Sequence, residues 1–356
     1  MSRLVLVPRV GASRIGLILS PIIAIAATLA VGTALIAAVG VGPLQALSVF
    51  VVDPLSSLRG WTEVVLKATP LALCAVGLAV CFRTNVWNIG AEGQLILGAI
   101  AGGGIALLAP DPSRGWFVCV LLAAALGGAV WAALTAWLRD RFNANEILVS
   151  LMLVYVAQQL LLWVVQGPWR DPAGFGFPQT ALFASGARIP LLIAGTRLNV
   201  GAWLALVAAA AIWLLLARTV IGFQLKVVGL APIAANYAGF SARRSLWTAL
   251  LVSGALAGIA GGLEVAGPIG QLTSTISPGY GFAAIIVAFV GRLHPVGIVL
   301  ASWVMALFYI GGELAQSRLG LPSAITGVYQ GLLLFFLLAA DSLVMYRPQF
   351  RPAATA

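Results

Sequence analysis

Ten apolar runs of roughly twenty residues constrain this chain more than any other feature. They cover residues 15–40, 64–82, 89–108, 116–138, 147–165, 200–217, 246–265, 272–290, 296–311 and 325–340. Runs of this length cross a hydrocarbon layer as helices, where every backbone polar group must find its partner inside the segment. The 356 residues are 61% hydrophobic and only 8% charged, against about 25% charged in a soluble domain. So few charges cannot cover a water-facing surface. A soluble enzyme, a nucleic-acid binder and a disordered chain are thereby excluded. A transmembrane barrel would show alternating segments of about ten residues instead. The expected fold is all-α and polytopic, with about ten transmembrane helices.

The net charge of +10 comes from basic residues that sit between the runs. With the N-terminus inside, thirteen fall on inner segments: Arg3, Arg9, Arg14, Arg83, Arg139, Arg141, Arg218, Lys226, Arg243, Arg244, Arg292, Arg347 and Arg351. Short outer loops hold three, Arg59, Arg114 and Arg318. Arg170, Arg188 and Arg197 lie in a long outer segment, where charge counts little. This bias predicts a multi-pass membrane protein with both termini, including a tail over 341–356, in the cytoplasm. The first run is too long for a signal-peptide core and reads as a retained span. Cys74, Cys81 and Cys119 form neither a disulfide frame nor a metal motif, and His294 has no ligand-type neighbour at metal spacing.

Ten runs divide into halves of five, approximately 1–199 and 200–345, of one transmembrane domain. An odd number per half inverts the second half relative to the first, a plan common among transporters. Gly98-xxx-Gly102, Gly254-xxx-Gly258-xxx-Gly262 and Gly327-xxx-Gly331 read as close helix-packing surfaces.

Four places depart from plain apolar helix. Residues 82–94, FRTNVWNIGAEGQ, set Arg83, Asn88, Glu92 and Gln94 between two spans with almost no loop. Irregular polar backbone at that depth must line a cavity or be covered by protein. Arg83 reads as an interfacial anchor. Glu264 closes the seventh run, as an outer-interface marker or a polar contact in the bundle. Pro278 and Gly279 interrupt the eighth run ahead of Tyr280, giving a broken helix near 277–291. A break in one half and a polar hinge in the other point to a substrate path. Asn88, Gln94 and Tyr280 are expected to meet the solute, and Glu92 to be a brace held by backbone N–H groups or by water. Finally, the inner loop 219–245 has an amphipathic centre with Pro232 at a plausible first helical turn and Gly239 at its end.

FRTNVWNIGAEGQ (82–94), SGALAGIAGGLEVAG (253–267) and GYGFAAIIVAFVGRLHPVG (279–297) resemble the signature blocks of one family. It comprises the membrane subunits of ATP-binding-cassette importers for nucleosides and simple sugars that work with basic-membrane-protein-type binding lipoproteins, related to ribose and branched-chain amino acid permeases. The resemblance spans roughly residues 64–343. It implies that 219–245 is the coupling loop that meets the ATPase, with Gly229, Pro232, Ala235, Tyr237 and Gly239 at matching places. Ala231 and Asn236 depart from the pattern, which has Asn at the first and commonly a basic residue at the second. It also implies a second, paralogous permease, an extracytoplasmic binding lipoprotein and a separate ATPase that carries ATP and Mg; this chain would hold no cofactor.

The sequence has no GxxxxGK[ST] loop, so ATP hydrolysis falls to another chain. A stand-alone secondary transporter would need a proton or Na⁺ site, with Glu92, Glu264 and Asp341 as its acidic candidates. An intramembrane enzyme is disfavoured: Ser253 lacks a nucleophile-type setting and the single His294 lies in an inner turn. No catalytic or metal residue is assigned. Neutral polar and aromatic groups along the path suit a nucleoside, with a simple sugar as the alternative solute.

Overall fold

In the computed structural model, residues 2–8, 14–110 and 115–352 are described. Arg9 and Arg114 of the basic count, and the last residues of the tail, lie outside them. In chain order the elements are β1 (Ser2–Pro8), α1 (Arg14–Ala38), α2 (Pro43–Leu47), α3 (Leu58–Arg83), α4 (Ala91–Leu107), α5 (Trp116–Phe142) and α6 (Glu146–Gln166). There follow α7 (Gly201–Arg218), α8 (Val220–Leu230), α9 (Pro232–Tyr237), α10 (Ala242–Glu264), α11 (Tyr280–Val290), α12 (Pro295–Leu319), α13 (Ala324–Met345) and β2 (Tyr346–Pro352).

Among the described residues the regular elements are helices apart from one antiparallel strand pair, β1 with β2. Among the described residues, eight helices are long and apolar enough to cross a membrane. The two runs that fall short are 89–108, which forms the 17-residue α4, and 272–290, in which only the 11-residue α11 is helical. At 1.5 Å per residue α11 is about 17 Å long, half a bilayer core.

Local chemistry sets the ends. Ser57 Oγ accepts the Gly60 N–H at the start of α3, Asn145 Oδ1 that of Ile147 at α6, and Ser241 Oγ that of Arg244 at α10. Each satisfies a donor that the first helical turn leaves orphaned. Asn143 stops α5 in the left-handed conformation at φ 51°, and Asn85 turns the chain after α3 at φ 57°.

The chain divides into two compact units. In the unit Ser57–Ala306, α3 and α10 are central: 89% and 72% of their most apolar stretches are buried, against 22–28% for α5, α6 and α7. The outer three keep their apolar faces for lipid. Helices α4, α5 and α10 meet through glycines. A side chain on Gly98 would overlap the Gly258 backbone, one on Gly128 the Gly254 carbonyl, and one on Gly258 the Ala124 carbonyl. The small-residue pattern is thus a helix contact, as close backbone approach in lipid requires.

In the other unit, residues 1–56 with 307–356, α1 runs along α13. Phe50 stacks on Tyr329 with centroids 4.4 Å apart, Ser20 Oγ donates to Asp341 Oδ1 at 2.5 Å, and Arg318 pairs with Asp53. A Cβ on Gly327 or Gly331 would meet nothing within 4 Å.

Candidate functional site

The polar hinge folds back on itself. Asn88 Nδ2 donates to Gln94 Oε1 (3.0 Å) and to Ser253 Oγ of α10 (3.1 Å). Its Oδ1 accepts from Gln94 Nε2 (3.1 Å) and the Gly90 N–H (3.0 Å), while the Ile89 N–H is taken by Ser150 Oγ of α6 (3.1 Å). Asn88 and Ser253 are fully buried, and Gln94 is 1% exposed. Burying amides at this depth is tolerable because every amide nitrogen and oxygen of the two has a partner. Within this chain the amide nitrogens and oxygens of Asn88 and Gln94 are bonded to protein groups.

Glu92 sits in the first turn of α4, 2% exposed. Its Oε2 accepts the Gly281 N–H of α11 at 2.6 Å, and the Ser277 hydroxyl and Gly279 N–H also donate to the carboxylate. Ser277 Oγ in turn accepts the Gly279 and Tyr280 N–H groups at 3.2 and 3.0 Å. The orphan donors at the start of the broken helix are thus satisfied by one carboxylate and one hydroxyl, and the negative charge lies at the positive end of the helix dipole. Gly281 packs directly on the Glu92 backbone, where a side chain would not fit. Tyr280 is fully buried beside this cap, and the Lys67 ammonium of α3 lies 5.5 Å from its ring centroid. Glu264, also buried, ends α10 eleven residues beyond Ser253, about 17 Å along the helix from the amide pair.

The segment between α10 and α11 is covered by the loop 166–199. The Ile189, Phe183 and Thr180 N–H groups donate to the carbonyls of Ala266 (2.9 Å), Gly270 (2.9 Å) and Leu272 (3.0 Å). Thr180 Oγ1 accepts the Leu272 N–H at 3.0 Å, and Gln271 Nε2 donates to Gln179 Oε1 at 3.1 Å. This loop supplies the pairing that a helix would have made internally, which lets the chain stay irregular there.

At the other end, α9 starts at Pro232 and stops before Gly239, whose φ of +78° suits glycine. Tyr237 is 91% exposed, and Leu230 and Ile233 are exposed beside it. Of the five residues assigned to coupling, Pro232, Tyr237 and Gly239 face outward. Ala235 is buried, and Gly229 packs on the Arg83 carbonyl. Leu230 and Ile233 were missed because exposed apolar side chains beside a membrane span read as lipid-facing. Asp140 Oδ2 accepts from Arg243 Nε (2.7 Å) and Trp247 Nε1 (3.1 Å), tying α5 to α10. Glu146 pairs with Arg139. Among the described residues no group of three His, Cys, Asp or Glu side chains could hold a metal ion.

A family model described as the branched-chain amino acid transport system permease component matches residues 60–338. The chain is similar to the glucose ABC transporter permease TsgB13 of Haloferax volcanii, 35% identical over 92% of this chain and 89% of that protein. It is 29% identical to the guanosine ABC transporter permease NupP of Bacillus subtilis, over 91% and 93%. The nucleoside ABC transporter permease NupB of Lactococcus lactis is 28% identical over 90% of each. No solved structure matches. The match over residues 60–338, most of this helical chain, places it in the permease-component family of branched-chain amino acid transport systems.

Proposed function

We propose that this permease is the translocation subunit of an ATP-binding-cassette importer that takes up a neutral polar solute, a nucleoside first, delivered by an extracytoplasmic binding protein. The observation that carries the reading is α9. A six-residue helix presenting Ile233 and Tyr237 to solvent, with the exposed Leu230 at the end of α8 beside it, is a surface for a soluble partner. That partner is a separate ATPase, because the sequence lacks a phosphate-cradling loop of its own.

Ten passes complete the topology: the eight long helices, α4, and α11 together with the irregular segment before it. The two halves enter the membrane inverted, with both termini cytoplasmic, in the inner membrane. Five helices per half and the basic-residue bias support this. A second, paralogous permease completes the channel, and the open Gly327–Gly331 face of α13 suits close approach by another spanning helix. The hinge 82–94 and the break before Tyr280 shape the wall of the path.

Relatives named for guanosine and for nucleosides favour a nucleoside. The relative named for glucose keeps a simple sugar as the second reading. Purifying the complex with its binding protein and identifying the bound molecule by mass spectrometry decides between them. A nucleoside supports the first reading and a hexose the second. Absence of any co-purifying ATPase would defeat both.

A further inference from the structure

Arg83 ends α3 and touches two moving parts of a transporter through different atoms. Its backbone carbonyl is the floor on which Gly229 of α8 rests; a side chain at Gly229 would overlap it, and the Thr84 carbonyl carbon lies 3.0 Å from the same point. Its side chain points the other way, with Nε donating to the Leu293 carbonyl at 3.0 Å.

Leu293 lies in the turn joining α11 to α12. That turn is stiff. Arg292 and Leu293 hold φ of 57° and 53° in succession, a left-handed conformation that non-glycine residues rarely adopt. The Leu293 N–H donates to Ala288 (2.8 Å) and the His294 N–H to Gly291 (3.0 Å). Rings reinforce the junction: Phe82 stacks on Phe289 of α11 with centroids 5.1 Å apart, and Trp87 packs on both. The far end of α11 is the one capped by Glu92.

We propose that Arg83 is the positioning residue that passes displacement of α8 and α9 to the broken helix α11. The inference rests on α9 being the ATPase docking helix. A push on α9 reaches α8 directly, since only Ala231 separates them. Gly229 leaves no compressible side chain between α8 and the end of α3. The guanidinium then engages a turn too strained to absorb the motion locally, so α11 shifts as a rod. An interfacial anchor would need the charge alone. This role needs the donor to Leu293 and the rigidity of the turn.

The test is solute transported per ATP hydrolysed by the intact complex in vesicles, with radiolabelled guanosine and glucose as probes. Arg83→Met should assemble with the ATPase and hydrolyse ATP while the ratio falls about fivefold or more, the lower range of measured couplings between sites. Arg83→Gln, whose amide still donates to Leu293, should recover part of the loss. Leu293→Gly keeps the hydrogen bond but relaxes the turn, and should lower the ratio about twofold. A wild-type ratio in Arg83→Met overturns the proposal. If Arg83→Met does not assemble, a wild-type ratio in Leu293→Gly overturns it instead. Failure of the wild-type chain to hold any ATPase would instead defeat the docking assignment of α9.

Discussion

The Glu92 carboxylate accepts the Gly281 N–H at 2.6 Å across 189 residues of sequence, so the first turns of α4 and α11 share one cap. The prediction is graded. Glu92→Ala leaves the buried Gly281 N–H without this acceptor, at about 1–3 kcal/mol. Glu92→Gln keeps an oxygen acceptor but loses the charge facing the helix dipole, worth about 1 kcal/mol. Thermal unfolding midpoints of the purified protein should therefore fall in the order wild type, Gln, Ala. An alanine variant as stable as wild type would remove the cap from the account of this fold.

Asn88→Leu should damage folding before it damages transport. The side chain has no exposed surface, and its loss strips partners from Gln94, Ser253 and the Gly90 N–H together. Each orphaned group costs about 1–3 kcal/mol. Yield of monodisperse protein should drop, and Asn88→Asp should be little better, because a carboxylate cannot donate to Gln94 and Ser253. Normal yield with a raised KM would instead restore direct solute contact at Asn88.

The two glycine patterns should respond in opposite ways. Even a methyl group on Gly258 overlaps the Ala124 carbonyl, and the neighbouring backbones of α4 and α5 cannot yield, so Gly258→Ala should abolish folded protein. Gly327→Ala, with open space around it and a helical backbone, should be tolerated and favours the helix by up to about 1 kcal/mol. Size-exclusion profiles of the two variants make the comparison.

What the sequence made legible were features with a local cause. Long apolar runs became helices, Pro232 and Gly239 bounded α9, and the hinge at 82–94 was visible because six polar side chains interrupt hydrophobic sequence. The segment 272–279 was not legible. Leu272 and Ile276 are apolar and buried, as in a span, yet the backbone is held by Thr180, 92 residues away from Leu272. Composition cannot announce a partner at that distance. Helix α8 was read as loop because its eleven residues are too few to register as a span, although Thr219 caps it at Gly222. Ser253 looked like one more small residue on a glycine-rich helix. Only the fold brings its hydroxyl to Asn88.

Gly239→Arg should separate ATP hydrolysis from uptake. The position has φ of +78° and open surroundings, so arginine is strained in the backbone by about 1–2 kcal/mol and meets no clash. The chain should reach the membrane and bind lipid normally, while the end of α9 that presents Tyr237 is displaced. Uptake and solute-stimulated ATPase activity are the measurements. Normal values for both would mean that this helix is not where the ATPase docks.

Topology can be read with one thiol at a time. Cys74 and Cys81 are buried and Cys119 is exposed, so replacing Cys119 removes the main competing label. Ser185 lies in the loop that covers the 265–273 segment, and Ala144 in the turn between α5 and α6. The basic residues Arg139 and Arg141 immediately precede that turn, and the basic-residue bias predicts it on the cytoplasmic side. In intact spheroplasts an impermeant thiol reagent should label a cysteine at 185 and spare one at 144, with both labelled once the membrane is opened. Ala144 is partly covered, so the opened-membrane control must show that its thiol can react before protection is read as sidedness. The reverse pattern would turn the whole bundle over. It would also put the exposed face of α9 on the side where no ATPase can reach it.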